Sequence, residues 1–119
     1  MEFNSAFPIY MQVMVLIKRE IVAGRMKPGE KLPSVRDMAV SYTINPNTVS
    51  RVYRELESEG VCFTKRGMGT FVTEDAECVK RLRKEMAEEL VGRFLEGMDQ
   101  LGISREEAVA ILQEEIISE

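Results

Sequence analysis

Asn47, Ser50, Arg51 and Arg54 place an amide, a hydroxyl and two guanidinium groups along one short stretch of the chain. Asparagine presents the paired donor and acceptor that fit an adenine edge, and arginine a planar fork that fits guanine or a phosphate. Downstream, Lys65-Arg66-Gly67-Met68-Gly69 is a basic run kinked by glycines. The stretch from Leu32 to Val72 thus pairs two short capped helices with a basic hairpin. A winged helix-turn-helix uses that combination to grip duplex DNA.

Other chemistries lack their residues. There is no histidine, hence no Ser-His or Cys-His nucleophile. Two cysteines, Cys62 and Cys78, are too few and too far apart for a tetrahedral metal site. Carboxylates fall at solvating positions on helix faces, with no enclosing apolar pocket evident for acid/base work. No enzyme, metal or cofactor is expected. Cys62 has no basic neighbour to activate it, and Cys78 lies beside Glu77 but also near Lys80 and Arg81, so inert thiols are a stronger reading than a redox sensor. With no signal-peptide pattern and no apolar run of about 18 residues, the expected location is the cytoplasm, away from membranes.

The chain has 119 residues, 45% apolar and 30% charged, enough for one globular domain and an appendage. Its net charge of −4 is unevenly spread. Residues 8–73 hold ten Lys or Arg against six Asp or Glu, net +4, whereas residues 76–119 hold six against eleven, net −5. Phosphate responds to local cations rather than to the total, so only the head is expected to meet DNA. The polar junction at Glu74-Asp75 divides a head, 1–75, from a tail, 76–119.

Spacing gives the elements that must hold the polar groups. Residues 1–7 lack periodicity and read as a loose arm. From Pro8 to about Ala23, Tyr10, Met14, Ile17 and Ile21, flanked by Val13 and Leu16, have the spacing of an amphipathic helix ended by Gly24. Lys27-Pro28-Gly29-Glu30 is a turn. Ser34, with Asp37, caps a second helix reaching Tyr42, whose inner stripe is Val35, Met38, Ala39 and Tyr42. Asn45 caps a third, with Pro46 in its first turn; Val49, Val52, Tyr53 and Leu56 share its inner face, and Asn47, Arg51, Arg54 and Ser58 the outer one. Val61 to Thr64 and Thr70 to Thr73 are β-branched and aromatic runs that make a hairpin around the basic loop.

A long helix from Ala76 to Leu101 breaks at Gly102, and the capping box at Ser104 opens a last helix with Val109, Leu112 and Ile116 inward. Leu90, Val91, Phe94, Leu95 and Met98 make an apolar face wider than one short helix covers, which a second copy of the chain would cover better than a fold-back onto the head. The expected fold is mostly α with a small β-hairpin: a winged helix-turn-helix followed by a C-terminal helical dimerisation hairpin. Its seam should contain Leu90, Val91, Phe94, Leu95, Met98, Leu101, Val109, Leu112 and Ile116.

Several motifs occur in a specific order: Pro8-Ile9-Tyr10, the run Gly29-Glu30-Lys31-Leu32-Pro33-Ser34-Val35-Arg36, Asn45-Pro46-Asn47-Thr48-Val49, Tyr53-Arg54-Glu55-Leu56, and Arg66-Gly67 before Gly69-Thr70-Phe71-Val72. Through them residues Pro8 to Val72 closely resemble the GntR family of bacterial transcription regulators, and the short tail is similar to its YtrA subfamily. The resemblance implies a dimeric repressor on a two-fold double-stranded operator, with the third helix in the major groove, the wing tip in the minor groove, and transporter genes as common targets. Arg36, the segment Asn45 to Ser50, and Arg66-Gly67 are the positions it implies for operator contact. With the outward residues above, the expected DNA-contacting set is Ser34, Arg36, Asn45, Asn47, Thr48, Ser50, Arg51, Arg54, Lys65, Arg66, Gly67 and Gly69. Larger relatives carry arginines where Pro46 and Ser50 stand, so readout should shift to Asn47, Thr48 and Arg51. Thr43 departs from the glycine that many helix-turn-helix turns use for a left-handed backbone.

The tail, about 44 residues, is too small to enclose a ligand pocket alone. A small-molecule effector is left unassigned, with a pocket at a dimer seam open, and the eight methionines read as core filling. The same fold also serves as a protein-interaction adaptor. An adaptor would need an apolar or acidic face where Asn47, Thr48, Ser50, Arg51 and Arg66 stand.

Overall fold

The structure, a computed structural model, describes residues 3–117. Along the chain run α1 (Ile9–Val22), α2 (Val35–Tyr42), α3 (Pro46–Ser58), β1 (Cys62–Lys65), β2 (Gly69–Val72), α4 (Ala76–Gln100) and α5 (Arg105–Ile117). Contacts divide the chain into two compact units, Met1–Leu82 and Arg83–Glu119. The first turns of α4 belong to the head, where Cys78 and Leu82 are buried.

The head is built on α3, which packs against α1, α2 and β1. Val13 and Ile17 of α1, Val49, Val52 and Leu56 of α3, and Val72 of β2 are the largest side chains wholly removed from water. Each such burial is worth about 1.5–3 kcal/mol, so this apolar seam fixes which way α3 faces. Tyr10 and Leu16, expected on the inner side of α1, are only half-buried, as are Val35 and Tyr42 of α2.

The arm expected to be loose is instead a turn over its described residues; Met1 and Glu2 lie outside them. The Gln12 side chain accepts from the Asn4 N–H at 2.9 Å and donates to the carbonyls of Asn4 and Phe7 at 2.6 and 2.9 Å. One amide from the helix therefore supplies the partners that periodicity could not reveal.

The wing strands are antiparallel, pairing Cys62 with Val72, Phe63 with Phe71, Thr64 with Thr70 and Lys65 with Gly69. They sit one residue closer to the tip than expected, because Lys65 and Gly69 join the ladder. The Met68 N–H donates to the Lys65 carbonyl at 2.9 Å, and Gly67, at φ 77°, closes this tight turn. A third extended segment went unread in the sequence. The amides of Gly29 and Leu32 donate to the carbonyls of Val72 and Thr70 at 2.9 and 2.8 Å, and the Val72 amide donates to the Glu30 carbonyl at 2.8 Å. The connection after α1 is thereby riveted along the outer edge of β2.

Four helices end in the same double hydrogen-bonded cap. At α2 the Thr43 N–H donates to the Val40 carbonyl and the Ile44 N–H to the Ala39 carbonyl, at 3.3 and 3.0 Å. Glycine holds the left-handed position of this cap after α1, α3 and α4, but after α2 it is Thr43, at φ 54° and ψ 52°. The turn geometry expected of a glycine is thus kept by a β-branched residue.

In the tail the Ser104 hydroxyl accepts from the Glu107 N–H at 3.1 Å, the serine half of the expected capping box. The inward side of α5 differs from the expectation, however: Ala108 is buried and Ile111 half-buried, whereas Val109, Leu112 and Ile116 are exposed. Apolar residues lie all around this helix, so periodicity alone did not select its inner side.

A left-handed backbone costs an L-residue about 1–2 kcal/mol, part of which glycine's extra unfolded-state freedom would offset. Thr43→Gly should therefore stabilise the head by up to about 1 kcal/mol, read as a raised denaturant midpoint at unchanged slope.

Candidate nucleic-acid interface

With Val49, Val52, Tyr53 and Leu56 turned into the head, Asn47, Arg51 and Arg54 stand on the exposed side of α3. Thr48 and Ser50 are half-buried at its flank. Two of the singled-out residues are also caps: Asn45 Oδ1 accepts from the Asn47 N–H at 2.8 Å, and Ser34 Oγ from the Asp37 N–H at 3.0 Å. The Asn45 amide group and the Ser34 hydroxyl hydrogen remain as donors.

The arginines divide into two kinds. Arg36, Arg54 and Arg66 are exposed and have no ion pair or side-chain hydrogen bond among the described residues. Arg51 is held: its guanidinium carbon lies 3.6 Å from the centroid of the Tyr10 ring on α1. The sequence marked Tyr10 only as an apolar helix residue and as part of an opening motif, so this aromatic partner was missed.

At the wing, Phe63 and Phe71 stack with centroids 5.6 Å apart, and Lys65 Nζ sits 5.7 and 4.9 Å from them. A ring surface attracts a cation while leaving its charge and donors available. Arg66 and Gly67 form the exposed turn. The Lys31 chain lies against Gly69, where an added Cβ would fall 2.7 Å from Lys31 Cε. The flexible Lys31 chain can swing aside, so it is the φ of 124° that calls for glycine at Gly69.

Between the wing and the start of α2 runs a groove of 410 Å³, with Lys31, Ser34, Val35, Lys65, Gly69 and Thr70 among its lining residues. Tyr53 closes its floor from α3, its hydroxyl donating to the Pro33 carbonyl at 2.6 Å. Burial pushes this phenol well above its ordinary range, so it stays a neutral donor. The twelve singled-out head residues thus lie on α3, the α2 N-terminus and the wing, with Tyr10 and Lys31 added by the structure.

The two thiols are buried and free. Burial above all, with lesser contributions from Cys78 and Glu57, pushes the Cys62 thiol up to about 12. Cys78 Sγ lies 3.5 Å from the Gly60 carbonyl. Among the described residues no group of histidine, cysteine or carboxylate side chains is arranged to hold a metal ion.

In the tail unit, Leu90, Val91, Leu101, Val109, Leu112 and Ile116 are exposed, while Phe94, Leu95 and Met98 are half-buried. Ile117, 82% exposed, is a further apolar residue on α5 and was not singled out. Among the described residues, no helix is long and apolar enough to cross a membrane.

A third helix with its polar side free, beside a basic three-segment wing, defines a winged helix-turn-helix DNA-binding protein. Residues 9–72 match the model of the bacterial regulatory proteins of the gntR family, and the chain belongs to that family. It is 42% identical over 106 residues to the uncharacterized HTH-type transcriptional regulator YhcF of Bacillus subtilis, covering 89% of this chain and 88% of that protein. Over 73 residues it is 51% identical to the HTH-type transcriptional repressor YtrA of the same organism, covering 61% of this chain and 56% of the repressor. A GntR family transcriptional regulator from Listeria monocytogenes has a similar structure: TM-score 0.88 and 38% identity, over 94% of this chain and 98% of that one. The DNA-binding domain of AraR, solved in complex with operator ORR3, matches at TM-score 0.55 and 29% identity over 61% of this chain and 86% of that domain.

The raised Cys62 value has a consequence for alkaline stability. The folded state keeps this proton up to about 12, whereas the unfolded thiol releases it near 9.0. The stabilisation is complete below the lower value and is lost as pH rises through the upper one. Denaturation midpoints should fall between pH 9 and 12 more steeply for the natural chain than for Cys62→Ala. Equal slopes would mean that the thiol is not sheltered.

Proposed function

We propose that this DNA-binding transcriptional regulator is a repressor that holds a two-fold operator as a homodimer, each head presenting α3 to the major groove and Arg66-Gly67 to the minor groove. The observation that carries this reading is the exposed face of α3, where Asn47 and Arg54 keep their donors uncommitted and Arg51 keeps its edge. Asn47 fits an adenine edge, and Arg51 a guanine or a phosphate. Arg36, Ser34 and Lys65 flank that face with cations and a hydroxyl suited to the sugar-phosphate backbone. The family of transcription regulators is not one of enzymes, and a protein that reads chromosomal operators works in the cytoplasm.

The tail supports the homodimer. Its exposed Leu90, Val91, Val109, Leu112 and Ile116 form more apolar surface than a solvated two-helix unit can carry, and a second copy offers the same surface in return. Head and tail are then DNA-binding and dimerisation parts, meeting near residues 75–82.

Selection of bound fragments from random duplex DNA should return an inverted repeat. Asn47→Ala or Arg51→Ala should cost about 1–3 kcal/mol on that sequence and relax one base pair per half-site, with much less change on random DNA. Equal losses on both would reduce these side chains to backbone contacts.

Arg36, Arg51, Arg54, Lys65 and Arg66 of two chains would make log affinity against log salt fall with a slope of roughly −5 to −9. Arg66→Ala should make it shallower by about 1 to 2 units; an unchanged slope would take the wing off the DNA. Phe94→Asp should yield monomers in sedimentation, because it brings a charge into the seam. A dimer that survives this change would move the seam elsewhere.

A further inference from the structure

Arg51 is the guanidinium of the α3 face that has a partner, and the partner is a ring rather than a carboxylate. That choice matters for what the arginine can still do. An ion pair would occupy the hydrogen-bond donors of the fork and cancel its charge before DNA arrived. A ring engages the flat surface of the guanidinium, whose N–H groups all lie in its plane and point outward from its edge. At 3.6 Å from the centroid, the Tyr10 ring restrains the plane while leaving that edge free. Tyr10 is itself fixed, one position into α1, a helix whose Val13 and Ile17 are wholly buried in the head. Arg36, Arg54 and Arg66 have no comparable restraint among the described residues.

We infer that Tyr10 is a positioning residue for operator recognition: it stacks beneath Arg51 and sets the guanidinium plane before DNA binds. The inference rests on α3 being the DNA-reading helix. A long side chain ordered in advance loses less freedom on binding, and one immobilised rotamer-rich side chain corresponds to roughly a 2- to 10-fold change in affinity. The phenol acts through Arg51 and needs no contact of its own with DNA.

The test is a double-mutant cycle on the duplex recovered by selection with the natural chain. Tyr10→Leu should weaken binding by roughly 2- to 10-fold, Tyr10→Phe should restore it because the ring is what stacks, and Tyr10→Leu should add nothing once Arg51→Ala is present. Equal loss from Tyr10→Leu with and without Arg51, or tighter binding by Tyr10→Leu, overturns the inference. Should Tyr10→Leu not fold, the free natural chain still decides: the Arg51 Nε–H order parameter should exceed those of Arg36 and Arg54, and an equal value overturns the positioning role. If Arg51→Ala binds the selected duplex as tightly as the natural chain does, the positioning role fails while the regulator reading stands. If selection recovers no preferred sequence, the reading of α3 itself fails.

Discussion

One side of α3 is entirely withdrawn from water, and the rest of the head is arranged by that fact. Val49, Val52 and Leu56 are wholly buried where α1, α2 and β1 converge on this helix. Turning α3 by even a fraction of a turn would expose these side chains at about 1.5–3 kcal/mol each. The polar side is consequently turned outward by the core behind it, with the Arg51–Tyr10 stack as an added restraint. Asn47 and Arg54 need no internal partner to be well placed.

Charge in the head is kept available in a consistent way. Two carboxylates at the end of α3 are engaged elsewhere: Glu57 accepts from the Thr64 hydroxyl, and Glu59 pairs with Lys18 at 2.7 Å. Lys65 and Arg51 are steadied by aromatic rings instead. Ion pairs in the tail, Lys84 with Glu88 and Arg93 with Glu89, run along the exposed surface of α4, where they contribute little. In a chain of net charge −4, Arg36, Arg54 and Arg66 thus stay without an ion pair among the described residues.

Local features were legible in the sequence wherever they depend on neighbours in the chain. The Ser34, Asn45 and Ser104 caps, the inner face of α3 and the basic hairpin all follow from spacing of a few residues. What escaped depends on distant partners. Lys27 to Glu30 read only as a turn, and the pairing of Gly29 to Leu32 with Thr70 and Val72 escaped because those partners lie far along the chain. The Arg51 stack needed the crossing of α1 over α3, which no periodicity gives. For α5 the signal itself was ambiguous, since apolar residues surround the helix and the small Ala108 takes the buried position. Thr43 shows the opposite case, a cap whose hydrogen bonds outweigh an unfavourable residue type.

The riveting of Gly29 to Leu32 onto β2 has a mechanical meaning. Ser34 and Arg36 follow directly on this segment, so the wing and the α2 N-terminus are two jaws on one frame, held by three backbone hydrogen bonds of 2.8 to 2.9 Å. Opening the jaws would break those bonds together. Under the operator-binding reading proposed above, a duplex gripped across them would have to supply the adjustment itself, and sequences whose minor groove already has the matching width would do so at least cost in deformation. The head is in this sense a calliper of fixed opening, its span set by backbone pairing rather than by any side chain.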